Sequence, residues 1–299
     1  MLEVFRSIFI GAFQGISEFL PISSSGHLVL IPYIFKWDYQ GLSFDVALHF
    51  GTAIAIVVYF WRDWARIVKS AFSFSRHPEP FSRHPERSEG SHNQIDSSAE
   101  PALSLSNGPQ NDRSIYPKNL LWQILVASIP AAILGYLLND YIETKLHSPL
   151  LIAFDLAFFG IILWLADKYS KKAIAPKEIG YKQTFFVGIA QAVALFPGVS
   201  RSGITITASR LLGLPREEAA RFSFLLATPA ILGAFLLKAK DIQANDLNLS
   251  FILGVLASTV FGLIAIKYLL KYLKKGDFIV FVWYRIIIAA IILTIVLAR

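Results

Sequence analysis

The chain has 299 residues, of which 55% are hydrophobic and 16% charged, whereas ordinary soluble domains carry about 25% charged residues. This composition predicts an integral membrane protein that is embedded in the lipid bilayer. The net charge of +7 does not indicate nucleic-acid binding, because most lysines and arginines lie in loops beside apolar segments, as the positive-inside rule describes. The lack of cysteine excludes a disulfide framework and a thiolate metal site.

The first polar motif, residues 14–27, reads Q-G-I-S-E-F-L-P-I-S-S-S-G-H and lies within apolar sequence. Gln14 and Glu18 are four residues apart, so a helix over residues 3–19 places them on one face. Pro21 breaks that helix, and the serines that follow are good N-cap residues for a second, short helix. We therefore expect a broken helix pair whose second N-terminus points toward the break.

A helix N-terminus attracts anions, because its first backbone N–H groups have no partner within the helix. A carboxylate, hydroxyls and a histidine gathered at such a start are typical of phosphoryl chemistry. The alternative is a serine-rich helix cap that holds one buried acid. We favour a functional role for this motif over a purely structural cap, because an isolated ionised group at membrane depth costs about 2.5 to 3.5 kcal/mol.

Six further segments are apolar enough to be predicted as membrane-spanning helices. They are residues 42–61, 120–138, 150–166, 219–237, 251–266 and 278–297. Clusters of lysine and arginine follow the first, third and fifth of these, which places those ends on the cytoplasmic side. Asp45 and His49, near the start of the first span, either reach the polar centre or lie at the interface. Arg285, inside the last span, is expected to pair internally or to line a wet cavity.

Residues 73–115 are rich in serine, proline, glutamate and arginine and show no apolar period, so we predict a disordered cytoplasmic insert. The hexapeptide F-S-R-H-P-E begins at residue 74 and again at residue 81, as in inserted repetitive sequence. His77, His84 and His92 could bind a metal, but flexible polar tracts commonly carry histidines without forming a site. We expect the insert to be dispensable for function.

A second polar motif, F-P-G-V-S-R-S-G-I-T at residues 196–205, breaks the apolar stretch 181–212 into two short halves. A shift of 177 residues aligns five identical residues of the two motifs, which suggests an internal repeat. The aligned pairs are Gln14 with Gln191, Phe19 with Phe196, Ser23 with Ser200, Ser25 with Ser202 and Gly26 with Gly203. At this shift Ser24 falls on Arg201 and Glu18 falls on Leu195, so the two halves bring different chemistry to one architecture.

Arg201 follows Pro-Gly and stands at the serine-rich helix start, where its planar guanidinium is suited to holding phosphate. The alternative is an interfacial arginine whose side chain reaches out to water. We favour phosphate binding because of the proline, the glycine and the helix cap beside it.

These elements predict an all-α polytopic membrane protein with an inverted-topology repeat in a single membrane domain. The first repeat is residues 1–147, including the insert, and the second is residues 148–299. Each half has a re-entrant broken helix pair and three transmembrane helices, and an odd number of crossings inverts the second half. The first pair then enters from outside and the second from inside, with their half-helix N-termini meeting near the membrane midplane at an anionic group.

The two motifs, residues 14–27 and 197–205, resemble the signature motifs of the bacitracin-resistance family of undecaprenyl pyrophosphate phosphatases. The segments F-D-V-A-L-H-F-G at 44–51 and R-F-S-F-L-L-A-T-P at 221–229 are also similar to that family. The resemblance covers nearly the whole chain except residues 73–115. It implies a multi-pass enzyme of the bacterial cytoplasmic (inner) membrane that hydrolyses undecaprenyl diphosphate to undecaprenyl phosphate and inorganic phosphate, recycles the cell-wall lipid carrier and confers bacitracin resistance.

The resemblance also implies a divalent cation, Mg²⁺ or Ca²⁺. Such cations prefer oxygen ligands, here the Glu18 carboxylate, the Gln14 amide and the phosphates of the substrate. The family has glutamate or glutamine at the position of Gln14, so Glu18 alone remains of the usual acidic pair.

The expected catalytic residues are Glu18, Ser24, His27 and Arg201. His27 lies one helical turn after Ser24, so its imidazole can approach the Ser24 hydroxyl as general base and make it the nucleophile. In the alternative, Ser24 binds phosphate and His27 attacks or activates water, while Glu18 holds the cation or orients His27. Arg201 would hold the diphosphate. Hydroxyls from both motifs would help it: Ser23, Ser25, Ser200, Ser202 and Thr205.

Two other functions compete with this interpretation. A type-2 phosphatidic acid phosphatase would need a Lys-x6-Arg-Pro motif, and the sequence contains no Arg-Pro dipeptide. A polyprenyl-phosphate flippase, alone or combined with hydrolysis, is favoured by inverted repeats. The predicted topology opens the active site toward the periplasmic side. Dimerisation is open, a homodimer being one of the alternatives.

Overall fold

The computed structural model describes residues 2–38, 40–73, 116–146, 148–170, 174–243 and 247–298. The predicted insert therefore lies outside the described residues, except for Ser73. Eleven α-helices and two short 3-10 helices form the described part of the chain. The α-helices are α1 (Leu2–Phe19), α2 (Ser24–Phe35), α3 (Leu42–Tyr59), α4 (Trp61–Phe72), α5 (Leu120–Lys145), α6 (Pro149–Tyr169), α7 (Tyr181–Val193), α8 (Arg201–Leu211), α9 (Arg216–Lys238), α10 (Leu249–Leu273) and α11 (Ile279–Leu297).

Five of these helices, α5, α6, α9, α10 and α11, are long and apolar enough to cross a membrane. A sixth span results if α3 and α4, which meet at a bend of 75°, are counted together. On α11 one stripe is buried and the opposite stripe, with Trp283 and Ile287, is exposed, as expected for a helix between a protein interior and lipid. The prediction of an all-helical polytopic membrane protein is confirmed.

Two helix boundaries differ from the prediction. The first predicted span ends at Phe60, where the chain turns sharply into the strongly amphipathic α4, whose charged face carries Arg62, Arg66 and Lys69. Helix α5 continues to Lys145, so most of the polar link expected at residues 139–148 is helical. No glycine or proline stands between Gly135 and Pro149, and polar residues alone do not end a helix.

The first helix of each broken pair packs closely on a long span through a glycine. Gly11 of α1 lies against the backbone carbonyl of Gly254 in α10, so closely that a Cβ atom there would clash. Gly188 of α7 lies in the same way against the carbonyl of Ala127 in α5. Small residues permit this backbone approach in membrane helices, where packing replaces the hydrophobic effect. Gly11 and Gly188 are 177 residues apart, the offset that the two motifs predicted.

Candidate active site

The two helix breaks adopt the same local conformation. Ser23 (φ 73°) and Ser200 (φ 71°) are the N-caps of α2 and α8, and both have the positive φ that is uncommon outside glycine. Each serine Oγ accepts a hydrogen bond from the backbone N–H three residues later, Gly26 at 3.4 Å and Gly203 at 3.1 Å. The repeated motif therefore specifies one strained cap geometry twice, and it starts two short helices at the breaks.

The breaks also touch each other. The Ser202 hydroxyl, from the second break, donates to the backbone carbonyl of Leu20 in the first break at 3.0 Å. A Cβ atom on Gly26 would lie 3.7 Å from the Cα of Gly198, so the two chain segments pass close together. The sequence placed these motifs 177 residues apart, and the fold brings them to a common centre.

The Glu18 carboxylate lies in the middle of that centre and binds several polar side chains. Its side chain is only 5% exposed, and its Oε1 forms an ion pair with Arg201 Nη2 at 2.8 Å. Its Oε2 accepts hydrogen bonds from the Ser24 hydroxyl at 2.5 Å and from Gln14 Nε2 at 3.0 Å. Four residues predicted for the site therefore share one carboxylate. A buried carboxylate needs such partners, since an unpaired charge there is costly.

His49 is a further neighbour of this carboxylate, in addition to Gln14, Ser24 and Arg201. Its Nε2 lies 3.6 Å from Glu18 Oε2, while its Nδ1 hydrogen-bonds to the backbone carbonyl of Asp45 at 2.7 Å. Of the two positions considered for His49, the structure has the one at the polar centre. The residue lies in the segment 44–51 that resembled the family, and this was the signal that could have placed it in the site.

His27 is buried at the same break but is oriented differently from the prediction. Its Nδ1 lies 2.7 Å from the Ser23 backbone carbonyl and its Nε2 lies 2.8 Å from the Tyr284 hydroxyl. The two ring nitrogens therefore face Ser23 and Tyr284, and the Ser24 hydroxyl donates to Glu18 instead. Spacing along α2 gave the position of the ring but not its partner, which is 257 residues away in sequence.

The hydroxyls expected to bind phosphate divide into two groups. Ser24 and Ser25 are half-buried, so a ligand can reach them. The others are buried and already bonded within the protein: Ser23 to Gly26, Ser200 to Gly203, Ser202 to Leu20, and Thr205 to Ser223 at 2.6 Å. In this arrangement the buried hydroxyls of the second group stabilise the backbone of the two helix breaks and the packing around them.

Two buried polar atoms at the centre make no hydrogen bond with any described residue: Arg201 Nη1, a donor, and Gln14 Oε1, an acceptor. Buried polar atoms without a partner are rare and need an explanation. The guanidinium atom is suited to a phosphate oxygen. The amide oxygen, beside the Glu18 carboxylate, is a suitable ligand for a hard divalent cation. The described residues contain no group of three or more histidine, cysteine, aspartate or glutamate side chains that could hold a metal.

Arg285 of α11 joins the two helix breaks through hydrogen bonds to their backbone carbonyls. It is completely buried, and its guanidinium donates to the carbonyls of Pro21 in the first break (3.4 Å) and of Gly198 and Val199 in the second (both 3.0 Å). It also donates to the Leu156 carbonyl of α6 at 2.9 Å. The expectation that Arg285 pairs internally is confirmed, although its role as a bridge between the two motifs was not foreseen.

Comparisons with known proteins identify the family of this chain. The profile of the family described as bacitracin resistance protein BacA matches residues 7–291. An undecaprenyl-diphosphatase of Pelotomaculum thermopropionicum is 42% identical over 298 residues, which cover 100% of this chain and 98% of the relative. An undecaprenyl-diphosphatase of Moorella thermoacetica is 44% identical over 294 residues, or 98% of each chain. This chain therefore belongs to the bacitracin resistance protein family.

Proposed function

We propose that this protein is a membrane phosphatase that hydrolyses undecaprenyl diphosphate to undecaprenyl phosphate and inorganic phosphate. It thereby recycles the lipid that carries cell-wall precursors and confers resistance to bacitracin. The observation that carries the proposal is the Ser24–Glu18–Arg201 arrangement, in which a hydroxyl, a carboxylate and a guanidinium meet between two helix starts. The names of the relatives support the substrate and the reaction.

In the mechanism that the geometry favours, Ser24 is the nucleophile and Glu18 is its proton acceptor. The Ser24 oxygen forms a bond to the terminal phosphorus while its proton passes to Glu18 Oε2, 2.5 Å away. The bond between that phosphorus and the bridging oxygen breaks, and undecaprenyl phosphate leaves with the electron pair. Water then attacks the phosphoserine, inorganic phosphate is released, and Ser24 recovers its proton from Glu18.

Arg201 stabilises the charge of the transferring phosphoryl group. Its Nη2 remains on Glu18, whereas its unpartnered Nη1 can donate to a phosphate oxygen. Together with the N-termini of α2 and α8, this places preorganised positive charge where negative charge gathers in the transition state. His27 does not reach the Ser24 proton in this arrangement, which leaves it a part in the step that uses water.

A divalent cation, Mg²⁺ or Ca²⁺, fits the same centre. Gln14 Oε1 and the Glu18 carboxylate would hold it on the protein side, with phosphate oxygens as the remaining ligands. When bound, it neutralises charge on the diphosphate. Gln14 Oε1 is buried and has no hydrogen-bond partner among the described residues, which supports this assignment.

We also propose that the two halves, residues 1–147 and 148–299, are inverted repeats. The matching caps and glycine contacts support this. The start of α1 lies beside the starts of α3 and α10, in a polar cleft that includes Arg6, Ser43 and Asn248. The basic residues that follow α3, on α4, and those at the end of α10 lie beyond the other termini of these helices. By contrast, the end of α8 lies beside the basic end of α6, where Ser170 donates to the Arg210 carbonyl. The two pairs thus enter from opposite faces, which supports a site open to the periplasmic side of the cytoplasmic membrane.

Phosphate release from undecaprenyl diphosphate by the purified protein tests this function. The unmodified chain should release phosphate in the presence of Mg²⁺, and the Glu18→Gln variant should not. Lipid scrambling in vesicles, measured with the same preparations, tests the flippase alternative, to which the names of the relatives give no support. Scrambling without phosphate release would overturn the proposal.

A further inference from the structure

The hydrogen bonds of His27 determine where its proton lies. A backbone carbonyl can only accept, so the 2.7 Å contact with the Ser23 carbonyl places a proton on Nδ1. In the neutral imidazole, Nε2 then carries the lone pair, and the Tyr284 hydroxyl, 2.8 Å away, donates to it. The Ser23 carbonyl thus selects the tautomer in which Nε2 is able to take up a proton, and the Tyr284 hydroxyl holds that nitrogen in place.

Neighbouring aromatic rings also fix the position of the His27 imidazole. The rings of His27 and Tyr284 stack at a centroid distance of 5.6 Å and an angle of 25°, and the Phe13 ring lies 4.9 Å from the imidazole. Tyr284 is the residue before Arg285, which is anchored to both breaks. The helix that fastens the breaks therefore also presents the tyrosine hydroxyl to His27.

We propose that Tyr284 is a positioning residue for this reaction: its hydroxyl holds His27 in the orientation that the hydrolytic step uses. The proposal rests on the proposed phosphatase function. It deepens that function, because Tyr284 belongs to neither polar motif and contacts the site at His27. Tyr284 makes its contribution to turnover through the imidazole, and substrate affinity does not depend on it.

The test compares Tyr284→Phe with Tyr268→Phe, a matched change on α10 at a side chain that is 61% exposed. Removing the hydroxyl of Tyr284 should lower kcat about tenfold, as expected for one buried hydrogen bond, and leave KM unchanged. Tyr268→Phe should change neither. A rise in KM with unchanged kcat, or full activity in Tyr284→Phe, would overturn the proposal.

A second readout does not require activity. In protein labelled with ¹⁵N-histidine, the signals of His27 are identified as those that vanish in His27→Gln. In Tyr284→Phe the Nε2 signal should move as its hydrogen bond is lost, while the Nδ1 signal stays in place. An unmoved Nε2 signal would refute the contact itself. If the unmodified chain releases no phosphate, the proposed function fails, and this spectrum still decides whether Tyr284 holds His27.

Discussion

Ser24 donates its hydroxyl proton to the carboxylate of Glu18, across a helix break that lies between them in the chain. The proposed nucleophile and its proposed proton acceptor thus come from one local motif, whereas Arg201, whose positive charge balances the carboxylate, comes from the other half of the sequence. A single motif therefore contains both Ser24 and Glu18. The tertiary fold is needed to bring in Arg201, the positive charge that we propose stabilises the transferred phosphoryl group.

Replacing Ser24 by alanine should abolish turnover, because no neighbouring hydroxyl occupies its place on Glu18. Rapid quenching of the unmodified enzyme should trap phosphoserine. Ser128→Ala is the matched control, since the Ser128 hydroxyl donates to the Ile124 carbonyl of its own helix, α5. Near-native turnover in Ser24→Ala, or phosphohistidine at His27, would contradict the serine mechanism and leave the assignment as a phosphatase intact.

Replacing Arg201 by lysine should lower kcat/KM by more than tenfold, although the charge is kept. Lysine cannot donate in two fixed directions at once, so either Glu18 or the phosphate loses its partner. Steady-state kinetics of phosphate release measure the effect. Arg66→Lys, at an exposed position on α4, should behave like the unmodified protein. Equal activity of the two variants would mean that only charge is required at position 201.

Replacing Gln14 by glutamate should reduce the Mg²⁺ concentration needed for half-maximal activity. The change puts a second carboxylate one turn from Glu18, where the two repel each other unless a cation lies between them. Replacing Gln14 by leucine, which has a similar volume but no oxygen, should raise the requirement instead. A titration of activity against Mg²⁺ compares the three proteins. An identical midpoint in all three would show that residue 14 does not hold the cation.

Replacing Gly11 by valine should destabilise the fold, because its side chain would overlap the Gly254 backbone and push α1 away from α10. We expect a loss of about 1–3 kcal/mol or more, as for other overpacked sites. The melting temperature of the protein in detergent reports the effect. Gly233→Val is the control, since nothing lies within 4 Å of the added atom there. Similar melting of both variants would argue against close packing at Gly11.

The breaks were predictable because their causes are local. Pro21, Gly198 and the cap serines act on the backbone within a few residues, and the offset of 177 carried the prediction from one break to the other. The partners of His27 were not predictable, because Tyr284 has no motif around it and reaches the ring only through tertiary packing. Helical spacing places a side chain on a face of a helix, but it does not say which other element faces it.

Arg285 also determines when the active site can form. Arg285 comes after Glu18, Ser24 and Arg201 in the chain, so the ribosome synthesises all three before it makes the arginine that joins their two breaks. Until α11 is inserted, the carbonyls of Pro21, Gly198 and Val199 lack the donor that draws them together. We therefore expect the two breaks to reach their final arrangement only after α11 has been synthesised and inserted beside them.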